Sequence, residues 1–328
     1  MNKILFRCDS SGHIGTGHVT RSFALAEVFA INGWEVTFSG EFENPKWILS
    51  FLKKIENVII EKPTKTIKQN KDYEVIVLDS YDIETVEAEE FSKLGRFIIC
   101  IVDDISIRIK ADIYVSTLPL QYLPQFSDMS KCLFGPEFAL IRKEIISNDK
   151  NRALIGSSEK KTLGLFTGGS SKTEFLEIIL TQLIPKLNGW NIKIFSDSID
   201  LNNFDKQKVN LEFIEPRPDF YNELNGLNLV ISPASVSSWE FINMELPLAV
   251  YGIYKNQKSA YEFIVDGGYA EGLGFVENFK VFKLNEDNLR MAIEKSSKNK
   301  SSQNQNKKII DGSGSNRIYE EVIKMISF

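Results

Sequence analysis

The sequence predicts an α/β protein built from two doubly wound parallel-sheet domains. Strand-like and helix-like segments alternate along the chain, and each half opens with a strand, a glycine-rich turn and a helix. Several strand-like segments are continuously apolar, which is typical of strands buried on both faces of a parallel sheet. The length of 328 residues favours two domains over one.

The first half supplies the elements of one such sheet. KILFR predicts the first strand, and RSFALAEVFAIN has the apolar spacing of a helix face. WEVTFS alternates as a strand, PKWILSFLKKI has helical spacing, and NVIIEK is a further strand. YEVIVLDS and RFIICIVDD are apolar runs that end in acidic residues, and DIYVSTL follows them. Residues 1–150 are therefore expected to form a Rossmann-like domain that carries the glycine turn.

The second half repeats this order after a polar segment at 150–161, which we interpret as a linker. TLGLF, the glycine turn TGGSS and the helical EFLEIILTQLIPKL come first. WNIKIFSDS, NLEFIEP, LNLVISPAS and PLAVYGIY are predicted strands. Residues 151–328 are expected to form a second Rossmann-like, nucleotide-binding domain, with the last helix packing back on the first domain.

Composition narrows the function classes. A net charge of −5 gives no reason to expect nucleic-acid binding. Cys8, Cys100 and Cys132 are scattered, so neither a disulfide framework nor a zinc site is indicated. No stretch approaches about 18 uninterrupted apolar residues, as a membrane span would require. We expect a cytoplasmic globular protein.

Glycines shape the turn SSGHIGTGHVTRS after the first strand. Gly12, Gly15 and Gly17 permit backbone conformations that a β-carbon would hinder and allow a ligand to approach closely. A helix that begins near His18 would point its N–H groups at the same space. The spacing is GxxGxG and not the dinucleotide fingerprint GxGxxG, so no particular ligand follows. A simple tight connection between strand and helix is the alternative.

Both histidines of the chain, His13 and His18, lie in this turn. Imidazole is the side chain best suited to move protons near neutral pH. His18, at the expected helix start, is the stronger candidate for a general base, and the positive end of the helix would favour its neutral form. His13, within the turn, is as readily explained as a solvated loop residue.

Acidic and aromatic side chains follow two other strands of the first half. Asp79 and Tyr81 come directly after one apolar run, and Tyr81 is either a ligand for water or a sugar hydroxyl or an ordinary loop tyrosine. Asp103 and Asp104 have a similar position and a weaker signal. No histidine or cysteine lies near these aspartates in sequence, which gives a metal site little support.

The second half contributes features of an anion and sugar site. The TGGSS turn precedes a helix and could hold a diphosphate, although it lacks the lysine of a Walker A loop. Serines end the strand LNLVISPAS, and Glu240 is expected in the first turn of the next helix, either binding ribose hydroxyls or acting as a helix-start carboxylate. Asn256 and Gln257 offer amides for phosphate or sugar oxygens.

Taken in order, these segments resemble one enzyme family. FRCDSSGHIGTGHVTRSFALAEVF, VLDSYD, IVDDI, FGPEFALIRKEI, SSWEFINMELPLAVY, KNQ and IIDGSGSNRI are similar to the motifs of the UDP-sugar hydrolases of pseudaminic acid biosynthesis. The resemblance covers nearly the whole chain. The SSWE…LP portion is shared more widely with glycosyltransferases of the GT-B fold.

The resemblance implies a GT-B architecture, with two domains facing across a cleft. It also implies metal-independent, inverting hydrolysis of UDP-2,4-diacetamido-2,4,6-trideoxy-β-L-altropyranose, with this small-molecule UDP-sugar as the binding partner and no cofactor. His18 would be the general base, Tyr81 would help to position the water or the base, and Glu240 would bind the uridine ribose. The remaining substrate contacts expected are Asp9, Gly15, Gly17, Arg21, Gly168, Gly169, Ser237, Ser238, Asn256 and Gln257.

Two departures from the family pattern bear on specificity. Ser80 stands where the family commonly has histidine, and FTGGSSKTE stands where it has FGGTDP. The second change lies in the expected phosphate loop, so a related nucleotide sugar is an alternative substrate. A GT-B glycosyltransferase and a non-catalytic sugar-nucleotide binding protein are the alternative functions.

Overall fold

The computed structural model describes most of the chain, which divides into two compact units. One unit comprises Met1–Lys143 and Ile309–Phe328, and the other comprises Glu144–Lys308. The described residues are 1–11, 14–42, 45–63, 73–80, 90–91, 93, 95–103, 110–123, 132–152, 160–168, 173–196, 209–215, 217, 219–276, 281–297 and 308–327.

The first unit contains a seven-stranded parallel sheet. Its strands are β1 (Lys3–Cys8), β2 (Glu35–Ser39), β3 (Ile59–Glu61), β4 (Tyr73–Asp79), β5 (Gly95–Ile101), β6 (Ile113–Ser116) and β7 (Cys132–Phe134). They lie in the order β3-β2-β1-β4-β5-β6-β7, and every pairing is parallel. Among the strands of this unit, the short β7 is the one that the sequence patterns did not predict.

The second unit contains a six-stranded parallel sheet. Its strands are β8 (Thr162–Phe166), β9 (Asn191–Phe195), β10 (Asn210–Ile214), β11 (Leu229–Pro233), β12 (Leu248–Gly252) and β13 (Glu271–Phe275). The order is β10-β9-β8-β11-β12-β13, again with parallel pairings. Each sheet runs outward from its first strand, then reverses, so β1 and β4 flank one topological switch point and β8 and β11 flank the other.

Eight α-helices are described alongside the two sheets. They are α1 (Gly17–Ile31), α2 (Trp47–Leu52), α3 (Lys143–Arg152), α4 (Thr173–Leu183), α5 (Val236–Asn243), α6 (Lys258–Asp266), α7 (Glu286–Lys295) and α8 (Gly314–Ile326). Helix α8 packs on α1 in the first unit, where the Phe29 and Tyr319 rings meet edge to face with centroids 5.0 Å apart. The C-terminal helix is thus part of the unit that begins the chain.

Each unit has its own hydrophobic core. In the first, β1, α1, α2 and α8 contribute fully buried side chains such as Phe6, Phe23, Phe51 and Ile318. In the second, the core includes residues of β8, α4, β11 and α7. The continuously apolar strands are therefore buried against helices, and the predicted fold class of two doubly wound parallel sheets is confirmed.

Among the described residues, no helix combines the length and apolar character needed to cross a bilayer.

Candidate active site at the carboxyl ends of the strands

The glycine turn after β1 closes tightly before α1. The Gly15 N–H donates to the Ser11 carbonyl at 2.8 Å, and the Ile14 N–H donates to Ser11 Oγ at 3.0 Å. Gly15 has φ +80°, a left-handed conformation that favours glycine. Helix α1 begins at Gly17, so His18 lies in its first turn as the sequence predicts.

The ring of His18 meets a carboxylate from the neighbouring strand. His18 is only 4% exposed, and its Nδ1 lies 2.6 Å from Asp79 Oδ1. Asp79 is the last residue of β4 and pairs in register with Cys8, the last residue of β1. The parallel pairing of these two strands therefore brings the end of β4 against the start of α1.

Asp79 is ionised at neutral pH despite complete burial. Burial by itself raises the pKa of this carboxyl, but the charges of Arg21 and His18, and hydrogen bonds from both, lower it to about 2. An ionised carboxylate only accepts hydrogen bonds, so the proton of the 2.6 Å contact belongs to His18 Nδ1. In the neutral ring the lone pair is then on Nε2, the arrangement of a general base oriented by a carboxylate.

Arg21, one turn further along α1, donates hydrogen bonds to the same carboxylate. Its Nε donates to Asp79 Oδ2 at 2.8 Å and its Nη2 donates to Oδ1 at 2.5 Å. The third nitrogen, Nη1, donates to Asp103 just beyond β5. Ser22 Oγ also donates to Asp79 Oδ2 at 3.0 Å. Arg21, predicted as a substrate contact, is thus engaged in a buried network around Asp79.

Asp9, another predicted substrate contact, is hydrogen-bonded to residues near the ends of three strands, β1, β2 and β4. Its Oδ2 accepts from Arg7 Nη1 at 2.6 Å and from Ser80 Oγ at 3.3 Å. Its Oδ1 accepts from the Glu41 N–H at 2.9 Å. Both carboxylate oxygens therefore bind groups of the protein, and the network includes the serine that departs from the family pattern.

Two thiols adjoin the charged cluster and remain neutral. Cys8 lies beside Asp79 in the sheet, and burial, with the charges of Asp79 and Asp9, raises its pKa well above the ordinary value. Burial also raises the pKa of Cys100, on the other side of β4, to about 12. Neither thiol contributes a charge at neutral pH.

In the second unit, helix α5 follows β11 with a capping box. Ser238 Oγ accepts from the Ser235 N–H at 3.3 Å and donates to the Pro233 carbonyl at 2.7 Å. The Ser238 hydroxyl is fully buried and stabilises the helix start. Ser237 is only half-buried.

Glu240 lies one turn deeper than the sequence predicts. Helix α5 begins at Val236 and has no acidic residue in its first turn, so Glu240 falls in the second. The expectation of a first-turn carboxylate was wrong because the helix starts after Ser235, which takes the capping position. Glu240 is 2% exposed, so it is a buried carboxylate and not a solvated helix-start residue.

Two further predicted contacts follow β8 and β12. Gly168 comes two residues after β8, is exposed, and has φ +78°. Gln257 ends a single 3-10 turn, Lys255–Gln257, and its Oε1 accepts from the N–H groups of Ile253 at 2.8 Å and Tyr254 at 3.3 Å. The Gln257 oxygen thus holds the loop, while the side-chain NH2 is the donor suited to a ligand. Asn256 lies in the same turn.

Some predicted residues cannot be placed. Tyr81, Gly169, Gly12 and His13 lie outside the described residues. Within the part of the chain that is described, no group of three His, Cys, Asp or Glu side chains is arranged to hold a metal ion.

The roles of Asp79, Arg21 and Asp103 in one network were missed by sequence reasoning. The acidic ends of VLDS and IVDD were visible signals, since the carboxyl ends of neighbouring parallel strands lie at one edge of a sheet. The patterns did not show which strands are neighbours, because β1 and β4 are separated by two other strands in sequence.

Comparisons with known proteins agree with the motif resemblance. No protein-family model matches the chain. A curated relative from Campylobacter jejuni, UDP-2,4-diacetamido-2,4,6-trideoxy-beta-L-altropyranose hydrolase, is 26% identical over 282 residues, which is 81% of this chain and 97% of the relative.

Solved structures with the same fold include MurG of Acinetobacter baumannii, with a TM-score of 0.64 and 12% identity over 99% of this chain and all of that one. UGT89C1 of Arabidopsis thaliana complexed with UDP has a TM-score of 0.63 and 10% identity, with 98% and 100% of the two chains covered. These matches establish a GT-B-like fold. The chain therefore has a GT-B-like fold and resembles, along most of its length, the diacetamido-trideoxy-altropyranose hydrolase.

Proposed function

We propose that the protein hydrolyses a UDP-linked 2,4-diacetamido-2,4,6-trideoxyhexose to the free sugar and UDP, with inversion and without a metal ion. The observation that carries the proposal is the buried His18–Asp79 pair at the carboxyl ends of β1 and β4. The substrate class comes from the Campylobacter jejuni relative, whose similarity extends over 81% of this chain. Such a reaction would serve nonulosonic acid biosynthesis, as in the pseudaminic acid family.

In this mechanism His18 Nε2 takes a proton from water as the water oxygen attacks the anomeric carbon. The new C–O bond forms on the face opposite UDP, and the bond to the UDP oxygen breaks with its electron pair leaving on UDP. Asp79 stabilises the imidazolium, which returns its proton to solvent. From the family resemblance, Tyr81 is proposed to help position that water or the base. Inversion follows from a single displacement, with no covalent sugar–enzyme intermediate.

The second unit is proposed to bind UDP. The Glu240 carboxylate would accept hydrogen bonds from the ribose hydroxyls, and the N–H groups at the start of α5 and around Gly168 would bind the diphosphate. Ser237, Asn256 and Gln257 would supply further donors. Support comes from position, because these groups follow β8, β11 and β12 at the carboxyl edge where ligands of doubly wound sheets bind. UDP is a good leaving group, so a second carboxylic acid for its protonation is not required.

The decisive experiment pairs two histidine variants. His18→Asn should abolish turnover of the UDP-sugar while UDP binding, measured by calorimetry, stays at the parental level. His13→Asn is the matched control from the same turn and should keep parental turnover. Parental turnover by His18→Asn would refute the assignment of the base.

The substrate is tested by incubating the parent protein with UDP-linked 2,4-diacetamido sugars in the absence of an acceptor. Stoichiometric free sugar, with the opposite anomeric configuration by NMR in the first moments of reaction, supports an inverting hydrolase. Turnover only after an acceptor is added would show a glycosyltransferase. Binding without turnover under either condition would show a sugar-nucleotide binding protein.

A further inference from the structure

We infer that Arg21 and Asp103 form a charge-balanced positioning pair that orients the His18–Asp79 base and sets the pH at which it works. The inference rests on the proposed function for its kinetic consequence. Its structural part, the control of His18 by two neighbouring charges, can be measured without any substrate. Arg21 is then a positioning residue and not a ligand of the sugar nucleotide.

The geometry first shows how the pair orients the base. Arg21 donates to both oxygens of Asp79, at 2.8 Å from Nε and 2.5 Å from Nη2, which fixes the plane of the carboxylate. The oxygen that binds Nη2 is the one that accepts from His18 Nδ1. A fixed Oδ1 therefore fixes both the direction of the imidazole ring and the nitrogen that carries the proton. A lysine cannot provide this planar, two-pronged contact.

The charge of Asp103 offsets the effect of Arg21 on the protonation of His18. Arg21 Nη2 lies 3.2 Å from His18 Nδ1, so its positive charge opposes protonation of the ring. Asp103 pairs with Arg21 Nη1 and offsets that charge. Among the described groups of this cluster, a neutral ring, one cation and two carboxylates carry one net negative charge. Uptake of the water proton by His18 brings the cluster to neutrality, which favours the base in its working step.

The other described groups around Asp79 leave this charge balance unchanged. Ser22, on α1, donates a hydroxyl hydrogen bond and has no charge. Cys8 on β1 and Cys100 on β5 are thiols whose pKa is raised by burial, so they stay neutral. Asp9, beyond β1, is paired with Arg7 at 2.6 Å. Among the described neighbours, Arg21 and Asp103 are therefore the charges through which the base can be tuned.

The test uses the presence of only two histidines in the chain. In the full-length protein labelled with 15N-histidine, His13→Asn assigns the His18 signals, and a pH titration gives their midpoint and tautomer. Arg21→Met removes a cation near the ring and should raise the midpoint by about one pH unit, whereas Asp103→Asn unmasks that cation and should lower it. Unchanged midpoints, or shifts of the same sign, would overturn the inference.

Arg21→Lys separates charge from orientation. It keeps the positive charge, so the His18 titration midpoint should stay near the parental value. Loss of the planar, two-pronged contact with Asp79 should lower kcat about 10- to 100-fold with little change in KM. The acidic limb of the pH–rate profile should move in opposite directions in Arg21→Met and Asp103→Asn, matching the NMR midpoints. A parental kcat in Arg21→Lys would contradict the orienting role.

Arg7→Met is the control for stability, because it removes a second buried arginine that is paired with a carboxylate, Asp9. It should destabilise the fold as Arg21→Met does but displace the His18 midpoint much less. If Arg21→Met does not fold, Asp103→Asn carries the test, because the Asp103 side chain is 32% exposed. A parent that hydrolyses no UDP-sugar would refute the proposed function, and the NMR midpoints would still decide this inference.

Discussion

The two switch points occupy equivalent places in their sheets but differ in the side chains that surround them. At the ends of β1 and β4, ionised and titratable side chains, His18, Asp79 and Arg21, meet in a buried network. Near the ends of β8 and β11, the described side chains include hydroxyls, aromatic rings and one buried acidic group, Glu240. The ring of Phe166, at the end of β8, stacks on that of Phe195, at the end of the adjacent β9, with centroids 4.0 Å apart, and Ser238 caps a helix.

In the proposed function, this difference separates proton transfer at the first switch point from anion binding at the second. A base needs a neighbouring charge held close and dry, and a buried charge is tolerated only when it is paired, as Asp79 is with Arg21. A diphosphate needs N–H donors and small residues that let it approach the backbone, which a neutral helix start and Gly168 provide. If the proposed function is correct, the same strand order supports two different sites, and the side chains at the strand ends determine the chemistry of each.

The largest expected effect comes from removing the charge at the first switch point. Asp79→Asn replaces an acceptor with an amide and permits the wrong tautomer of His18, so kcat should fall about 10³- to 10⁴-fold. Steady-state kinetics with the UDP-sugar measures the loss, and calorimetry should show unchanged UDP affinity. A loss of UDP affinity equal to the loss of kcat would contradict the proposal that the first switch point transfers the proton and the second binds UDP.

Acid should lower the stability of the first unit because it protonates the Asp79 carboxylate. The pKa of Asp79 is lowered from 3.8 to about 2, so its contribution to folding is complete above pH 3.8 and is lost as the pH falls toward 2. The shift corresponds to about 2 kcal/mol of unfolding free energy. Urea unfolding between pH 6 and pH 2, followed for the parent and Asp79→Asn, measures it. Equal pH dependence in the two proteins would contradict the pairing.

The carboxylate of the second switch point should affect binding more than chemistry. Glu240→Gln replaces the proposed ribose acceptor by an amide, and the Kd for UDP should rise about tenfold. The kcat at saturating substrate should stay near the parental value. Glu245→Gln, at an exposed glutamate just after α5, is the matched control and should leave both quantities unchanged. A fall in kcat at constant Kd for Glu240→Gln would place Glu240 in the chemical step.

The smallest effect is expected from a glycine pair in the second unit. Gly168 and Gly189 have φ of +78° and +79° and room for a Cβ, since the nearest atom to it at Gly168 is Pro233 Cγ at 3.5 Å. Alanine at either position should cost about 1 kcal/mol of unfolding free energy through the left-handed backbone. Only Gly168→Ala should also weaken UDP binding. Equal loss of UDP affinity in Gly189→Ala would argue against a specific phosphate loop.

The sequence predicted the position of the histidine turn, but not the positions or contacts of two other candidate site residues. The pattern placed His18 at a helix start, as the structure has it, because glycines and an apolar helix face mark that boundary clearly. The position of Glu240 within its helix was predicted one turn too early, since SPASVSSWE offers several serines as capping residues. Arg21 was assigned to the substrate, and the structure engages it with Asp79 and Asp103.

The sequence by itself determined the doubly wound class, because apolar periodicity and glycine turns reflect local backbone geometry and burial. It also marked the histidine turn and the acidic strand ends. Only the tertiary structure decided that Asp79 forms a hydrogen bond with His18. The two residues are 61 positions apart and meet only because β4 pairs with β1. A contact of that range depends on strand order, which is set by the packing of the whole sheet and not by any local pattern.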